Sequence, residues 1–99
     1  LIQAAFATFG IWLPRDSYQQ EAFCQKINRE ELLPGDLMFF GDKRVNHVAL
    51  YLGNNQYIHS SGKETGNNGI AINLLTDDRD SVSRHYYQKL WSFGRVMHN

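Results

Sequence analysis

The sequence has little cysteine, no long hydrophobic run and no excess of charge of either sign. Its single cysteine, Cys24, excludes an internal disulfide framework and leaves the redox compartment open. Charged residues or glycine interrupt every apolar stretch before it reaches the length of a transmembrane helix. The ten basic and ten acidic residues cancel, which argues against electrostatic binding of nucleic acid because such binding needs a basic face.

The length of the chain and the order of its apolar segments predict one small α+β domain over residues 1–99. Residues 1–9 have the apolar spacing of an amphipathic helix, and a second helix is expected after them. Five strand patterns follow, at residues 37–40, 45–52, 56–60, 70–75 and 90–97. We therefore expect N-terminal helices packed on a roughly five-stranded antiparallel sheet.

The second helix has a capping residue and a candidate inner face. Asp16 or Ser17 can cap its N-terminus. We expect Tyr18, Phe23 and Ile27 to face the core. Farther along the chain, the polar residues 76–83 can begin a short additional helix.

The first helix lacks its own start. No residue precedes Leu1 to cap the helix, and neither an initiator Met nor a signal peptide is present. We infer that the sequence is a fragment that begins inside or at the edge of a helix, the alternative being a frayed terminus.

Two histidines on neighbouring strands are the first candidates for chemistry. His47 opens the second strand and His59 lies on the third, and an odd-numbered loop at residues 52–54 or a bulge would place them directly opposite. Opposite Cβ atoms lie about 5 Å apart, within reach of a hydrogen bond between the rings. General acid/base catalysis and two solvated residues at a strand edge both fit this pattern. Metal binding fits less well, because two histidines are too few for a closed zinc site.

The sequence offers no obvious nucleophile. Cys24 lies at the end of the predicted second helix, whereas a reactive thiolate prefers the positive N-terminal end. A small buried hydrophobic role is therefore expected for Cys24. Ser17, Ser60 and Ser61 lack the Gly-x-Ser-x-Gly context of a serine hydrolase.

Several stretches, in order and spacing, resemble the NlpC-type cysteine peptidases, papain-like enzymes that cut bacterial cell-wall peptides. They are residues 1–3, 9–11 and 13–17, residues 33–40 (Leu-Pro-Gly-Asp-Leu-Met-Phe-Phe), residues 47–53 (His-Val-Ala-Leu-Tyr-Leu-Gly) and residues 57–59 (Tyr-Ile-His). In that family the nucleophilic Cys lies in an Asp-Cys-Ser-Gly motif that opens the first helix. The resemblance implies that this Cys lies just upstream of Leu1, outside these 99 residues.

The resemblance also implies roles for residues that are present. His47 matches the catalytic base, and His59 matches the polar residue that orients it. The family's Pro-Arg-x-Ser signature falls on Pro14, Arg15 and Ser17, and the resemblance places Arg15 and Ser17 near the expected substrate cleft. Ser60 and its neighbour Ser61 follow His59 and can line one wall of that cleft.

The implied substrate is a peptidoglycan stem peptide, cut between γ-D-glutamate and a diamino acid without a cofactor. Two alternatives stay open: an inactive papain-like module that binds cell-wall peptides, and a hydrolase that uses Cys24. Family members often carry wall-binding domains upstream. The resemblance favours the cell envelope, while the residues leave a periplasmic, secreted or cytoplasmic location open.

Overall fold

The computed structural model describes residues 2–7, 13–61, 69–75 and 81–96. Its helices are α1 (Ile2–Ala7), α2 (Ser17–Phe23) and α3 (Ser81–Tyr87), with a 3-10 turn at Arg29–Glu31. Its strands are β1 (Gln25–Ile27), β2 (Leu37–Gly41), β3 (Val45–Gly53), β4 (Gln56–Ser61), β5 (Gly69–Leu74) and β6 (Leu90–Arg95). The strands form one antiparallel sheet in the order β1-β6-β2-β3-β4-β5, so the expected α+β architecture is confirmed.

The sheet has six strands rather than the expected five because the segment after α2 is extended. Residues Gln25–Ile27, which were expected to continue the second helix, pair with β6 instead. Cys24 ends α2 with an extended backbone, at φ −83° and ψ 155°. Ile27 is buried as expected, but as a strand residue.

The expected inner face of α2 is wrong for its two aromatic residues. Tyr18 and Phe23 are 45% and 44% exposed. Gln20 is the buried residue instead, and its Nε2 donates a hydrogen bond of 2.8 Å to the Pro14 carbonyl. A polar side chain turns inward here because the carbonyl groups of the loop before α2 need a donor.

Strand β2 divides the interior into two cores. Leu37 and Phe39 point to one face of the sheet and Met38 and Phe40 to the other, as the period of a strand requires. The first core, here called the α1-face core, contains Ile2, Leu13, Leu37, Phe39 and Val45. The second, the α3-face core, contains Met38, Phe40, Ala49, Tyr57, Leu75 and Tyr86.

Helix α3 was only partly anticipated. It runs over Ser81–Tyr87, so it begins near the end of the polar segment 76–83 that was expected to start a helix. Residues 76–80 lie outside the described residues, as do residues 1, 8–12 and 62–68. Through Tyr86, α3 covers the face of the sheet on which both histidines lie.

Candidate active site

Three polar side chains on adjacent strands form a hydrogen-bonded chain. His47 Nε2 on β3 lies 2.8 Å from His59 Nδ1 on β4. His59 Nε2 lies 2.6 Å from Asn73 Oδ1 on β5. His59 is completely buried and Asn73 is 8% exposed, whereas His47 is only partly buried. The outermost ring therefore keeps access to solvent while the two groups behind it are shielded.

The two histidines meet along a diagonal and not directly across the hairpin, so the predicted register is wrong. Leu50 pairs with Ile58, and the turn consists of Asn54 and Asn55, both with positive φ. Continuing this register puts Ala49 opposite His59 and His47 two residues away. Diagonal neighbours on one face still lie within reach of long side chains.

Small residues leave the space that these diagonal contacts need. Ala71 on β5 is paired directly with His59, and the extended register places Ala49 on its other side. A methyl group on each flank lets the His47 ring and the Asn73 amide approach His59.

The loop before His47 bends tightly at Gly41. A Cβ atom added to Gly41 would lie 1.9 Å from the Arg44 carbonyl oxygen, so this position requires glycine.

Aromatic rings enclose the imidazoles and keep them neutral. Tyr86 stacks on His47 with ring centroids 4.8 Å apart and meets His59 edge-on at 4.6 Å. The centroid of the Phe40 ring lies 5.4 Å from that of the His47 ring. Burial, assisted by the neighbouring His59 and His85, lowers the pKa of His47 to about 4. Burial also lowers the pKa of His59, and its hydrogen bond to Asn73 partly opposes that change.

A cleft of about 620 Å³ brings together most of the residues that the sequence indicated for substrate. Arg15, Ser17, Ser60 and His47 all line it, together with Ile2 at the start of α1. The base candidate and the first turn of the opening helix thus border the same space. The side chain of Ser61 lies outside the described residues, so its place in the cleft stays a prediction.

His47 also borders a second cleft of about 520 Å³ on the α3 side. Its other lining residues are Phe40, Asp42, Asn46, His85, Tyr86 and Lys89. The Lys89 ammonium lies 2.6 Å from the Asp42 carboxylate at the rim. The His47 ring therefore has open space on two sides.

Cys24 packs on the side of the sheet opposite the histidines. It contacts the α1-face core, whereas His47 and His59 contact Tyr86 of the α3-face core. Burial, with smaller contributions from Asp36 and Glu21, raises the pKa of the Cys24 thiol to about 11. Both its position and its protonation argue against the hypothesis of a hydrolase that uses Cys24.

Sequence reasoning missed Asn73 and Tyr86. Asn73 had a signal, because it is the one amide within the otherwise apolar pattern of β5. Tyr86 had none, since it lies beyond residues 76–83, the segment that was expected to begin a helix. The part of the chain that the structure describes holds no group of three or more side chains suited to a metal ion. None of the described helices is long and apolar enough to cross a membrane.

Comparisons with known proteins identify the fold and the family. The probable endopeptidase NlpC homolog of Haemophilus influenzae is 44% identical over 88 residues, which are 88% of this chain and 44% of that protein. The γ-D-glutamyl-L-lysine dipeptidyl-peptidase of Bacillus cereus is 38% identical over 72 residues, or 69% of this chain and 22% of the relative. The chain therefore spans less than half the length of these relatives.

Solved structures agree with this result. An NlpC/P60 family protein from Bacillus cereus matches 96% of this chain and 30% of its own at 28% identity, with a TM-score of 0.82. RipD from Mycobacterium tuberculosis, described as a non-catalytic NlpC/P60 domain protein adapted to peptidoglycan binding, matches 96% of this chain and 62% of its own at 26% identity, with a TM-score of 0.73. The model of the NlpC/P60 family matches residues 1–95, and the chain belongs to that family.

Proposed function

We propose that this chain is the catalytic-type part of a cysteine peptidase that hydrolyses peptidoglycan stem peptides between γ-D-glutamate and a diamino acid. The nucleophilic Cys is placed just upstream of Leu1. The observation that carries the proposal is the 2.8 Å contact between His47 and His59, at a cleft that Ile2 also lines. A relative named for cleavage of γ-D-glutamyl-L-lysine supports the choice of bond.

The two ring nitrogens of His47 have different roles. Its Nε2 is engaged by His59, so Nδ1 is the atom left to exchange protons with a nucleophile. A thiol at the start of α1 gives its proton to Nδ1, and the helix N-terminus and the new imidazolium both favour the thiolate. A thiolate beside the ring also raises the pKa of His47 above its value in the chain alone.

The thiolate then attacks the amide carbonyl carbon. Backbone N–H groups at the helix start stabilise the oxyanion that forms. The protonated Nδ1 of His47 donates its proton to the departing amine, leaving an acyl-enzyme thioester. Water then attacks the thioester carbonyl and gives one proton to His47. The C–S bond breaks, His47 returns that proton to the sulfur, and the acid product leaves as a carboxylate after losing its remaining proton to solvent. His59 holds the His47 ring in place throughout this sequence.

The substrate is proposed to lie in the 620 Å³ cleft. Arg15 lines this cleft with a side chain that is 83% exposed, and its Nε lies 3.2 Å from the Asp16 carboxylate. A surface ion pair of this kind is weak, so a peptide carboxylate can take the place of Asp16. Ser17 and Ser60 offer hydroxyl groups on two walls of the same cleft. Ser61 is proposed as a further contact at the end of β4.

The test uses the full-length protein that contains this chain. Purified protein is incubated with a peptide containing a γ-D-glutamyl-diamino acid bond and with a matched peptide carrying an α-glutamyl bond, and products are identified by mass spectrometry. Cleavage of the γ-linked peptide alone is expected. Cys24→Ala should cleave equally well, while replacing the upstream cysteine by alanine should abolish cleavage. Cleavage that depends on Cys24 would overturn the placement of the nucleophile.

The second candidate function is that of a peptide-binding module without catalytic activity. The structural match to RipD, a non-catalytic protein of the same family, supports this candidate. The few residues upstream of Leu1 separate the two functions, because hydrolysis needs a cysteine among them. Retention on insoluble peptidoglycan without release of peptides would support binding alone. For either function we propose peptidoglycan as the partner, the cell envelope as the location, and further domains upstream.

A further inference from the structure

The geometry points to Asn73 as a positioning residue that fixes which nitrogen of each histidine carries the proton. In this arrangement the Asn73 carbonyl holds the proton on Nε2 of His59, and His59 in turn holds the proton on Nε2 of His47. The Nδ1 lone pair of His47 then remains available to accept a proton. The inference rests on the proposed function only for its catalytic consequence.

The argument follows from what each atom is able to donate. Asn73 Oδ1 is a carbonyl oxygen and only accepts, so His59 Nε2 at 2.6 Å must carry a hydrogen. A neutral imidazole has one N–H, so His59 Nδ1 is then an acceptor. His47 Nε2, 2.8 Å from that acceptor, must therefore be the donor. The side-chain carbonyl of Asn73 thus fixes the tautomer of both imidazole rings.

The surroundings of Asn73 hold its side chain in place. Its backbone pairs with Tyr57 within the β4–β5 ladder, and the residue is only 8% exposed. The next residue, Leu74, donates its backbone N–H to the buried Ser83 hydroxyl at 3.1 Å, which ties β5 to α3. A carbonyl held in this way is pre-oriented, so little conformational freedom is lost when His47 takes up a proton.

An amide at this position differs from the carboxylate found in many hydrolase triads. A carboxylate would stabilise a proton on His59 and draw positive charge away from His47. The neutral amide orders the tautomers without competing for the proton. The charged ring of the reaction then remains His47, which borders both clefts.

The experiment compares Asn73→Leu and Asn73→Asp with the unchanged full-length protein. Nitrogen-15 NMR of the histidine rings reports the tautomers directly. In the unchanged protein both rings should be protonated on Nε2, and the His59 Nε2 proton should resonate far downfield. Asn73→Leu should lose that resonance and mix the tautomers. Asn73→Asp should keep it and raise the pH at which His59 titrates by about one unit or more.

Kinetics provide the second readout. Asn73→Leu should lower kcat about 10–100-fold with KM nearly unchanged, because the substrate does not touch Asn73. Ile72→Ala, the adjacent exposed residue of β5, is the matched control and should alter neither the NMR signals nor kcat. Asn73→Asp has the same shape as the native residue, so it keeps the test decisive if the leucine variant fails to fold.

The outcomes separate this inference from the proposed function. Unchanged histidine tautomers in Asn73→Leu, or an unchanged titration of His59 in Asn73→Asp, would overturn the role of Asn73. If the full-length protein cleaves no peptide while the NMR changes occur as expected, the tautomer control stands and the peptidase proposal falls. Loss of kcat with unaltered ring signals would likewise overturn it, because Asn73 would then influence turnover by a route other than the histidine tautomers.

Discussion

The sheet carries two buried polar clusters that differ in charge. The first is the neutral chain His47–His59–Asn73 on β3, β4 and β5. The second is an ion pair at the other end of β2, where Arg95 Nε and one terminal nitrogen lie 2.9 and 2.8 Å from the two carboxylate oxygens of Asp36. Asp36 is 4% exposed, and its carboxylate also accepts the Leu33 N–H at 2.8 Å.

The difference indicates what each cluster is built for. The Asp36–Arg95 pair is bidentate, and the hydrogen bond to Asp36 raises the pKa of Arg95, so its charge is locked in place. The histidines are held neutral by burial, and one of them reaches open clefts on two sides. A fixed charge pair braces the turn before β2, whereas a neutral chain with one accessible end is suited to moving a proton.

The largest expected effect is that of His47→Ala. In the full-length protein it should reduce kcat about 10²–10⁴-fold, because it removes the ring that is proposed to exchange protons with the nucleophile. Steady-state hydrolysis of the γ-linked peptide measures this loss. His85→Ala removes an exposed imidazole of the same helix as Tyr86 and should cost far less. Substantial residual turnover in His47→Ala would contradict its role as the base.

His59→Ala should have a smaller effect on the same assay, about 10–100-fold in kcat, because an orienting group is partly replaceable by water. The loss should fall on kcat and not on KM, since His59 is completely buried behind His47. A loss as large as that of His47→Ala would instead give His59 a direct part in proton transfer.

Asp36→Ala tests the other cluster and should affect stability alone. Leaving Arg95 and the Leu33 N–H without their acceptor should lower the free energy of unfolding by about 2 kcal/mol. Asp42→Ala is the matched control, because its pair with Lys89 is exposed and should contribute less than about 1 kcal/mol. Urea unfolding measures both. Turnover per folded molecule should be unchanged in Asp36→Ala. A fall in kcat would contradict the assignment of the Asp36–Arg95 pair to stability alone.

The pH dependence of stability should report the histidine cluster. The pKa of His47 is about 4 in the folded chain against an ordinary value of 6.5, so between these values the unfolded state binds the extra proton. Stability should therefore be complete above about pH 6.5 and fall by roughly 1–3 kcal/mol as the pH drops toward 4. The lowered pKa of His59 acts in the same direction.

Chemical unfolding at several pH values measures this slope in the 99-residue chain and in two variants. His47→Gln should flatten the dependence, because glutamine does not titrate. His85→Gln should retain most of it, because burial is the main cause of the lowered pKa of His47 and the neighbouring His85 contributes only a smaller part. An equal slope in His47→Gln would show that other groups control the acid sensitivity.

Local sequence chemistry was sufficient for the turns and most strands. A Pro-Gly pair such as Pro34-Gly35 is typical of a turn with Gly at a positive φ. Gly35 has a φ of 97°, and the Asp36 N–H donates to the Leu33 carbonyl at 3.0 Å. The strand patterns predicted β2 to β6 to within two residues. These features depend on neighbours in the chain, which the sequence shows directly.

Features that depend on distant residues were not predictable in the same way. The register between the strands of His47 and His59 depends on the length of the turn after Gly53 and on the bulge beside it. The predicted and the observed register both keep the same residues on each face of the sheet, so the apolar pattern does not distinguish them. The contact of His59 with Asn73 and the pairing of Asp36 with Arg95 join residues 14 and 59 positions apart. The sequence pattern predicted that the two histidines share a face of the sheet, but it did not predict that Asn73 would hydrogen-bond to His59.

Ala49 and Ala71, one on each side of His59, have a consequence for how the domain tolerates change. Their methyl groups leave space beside His59 for its hydrogen bonds to His47 and Asn73. A valine at either position would be acceptable to a β-sheet by every local criterion. It would nevertheless fill that space and separate the polar groups, so two added methyl groups would disable the site with every hydrogen-bonding atom still present.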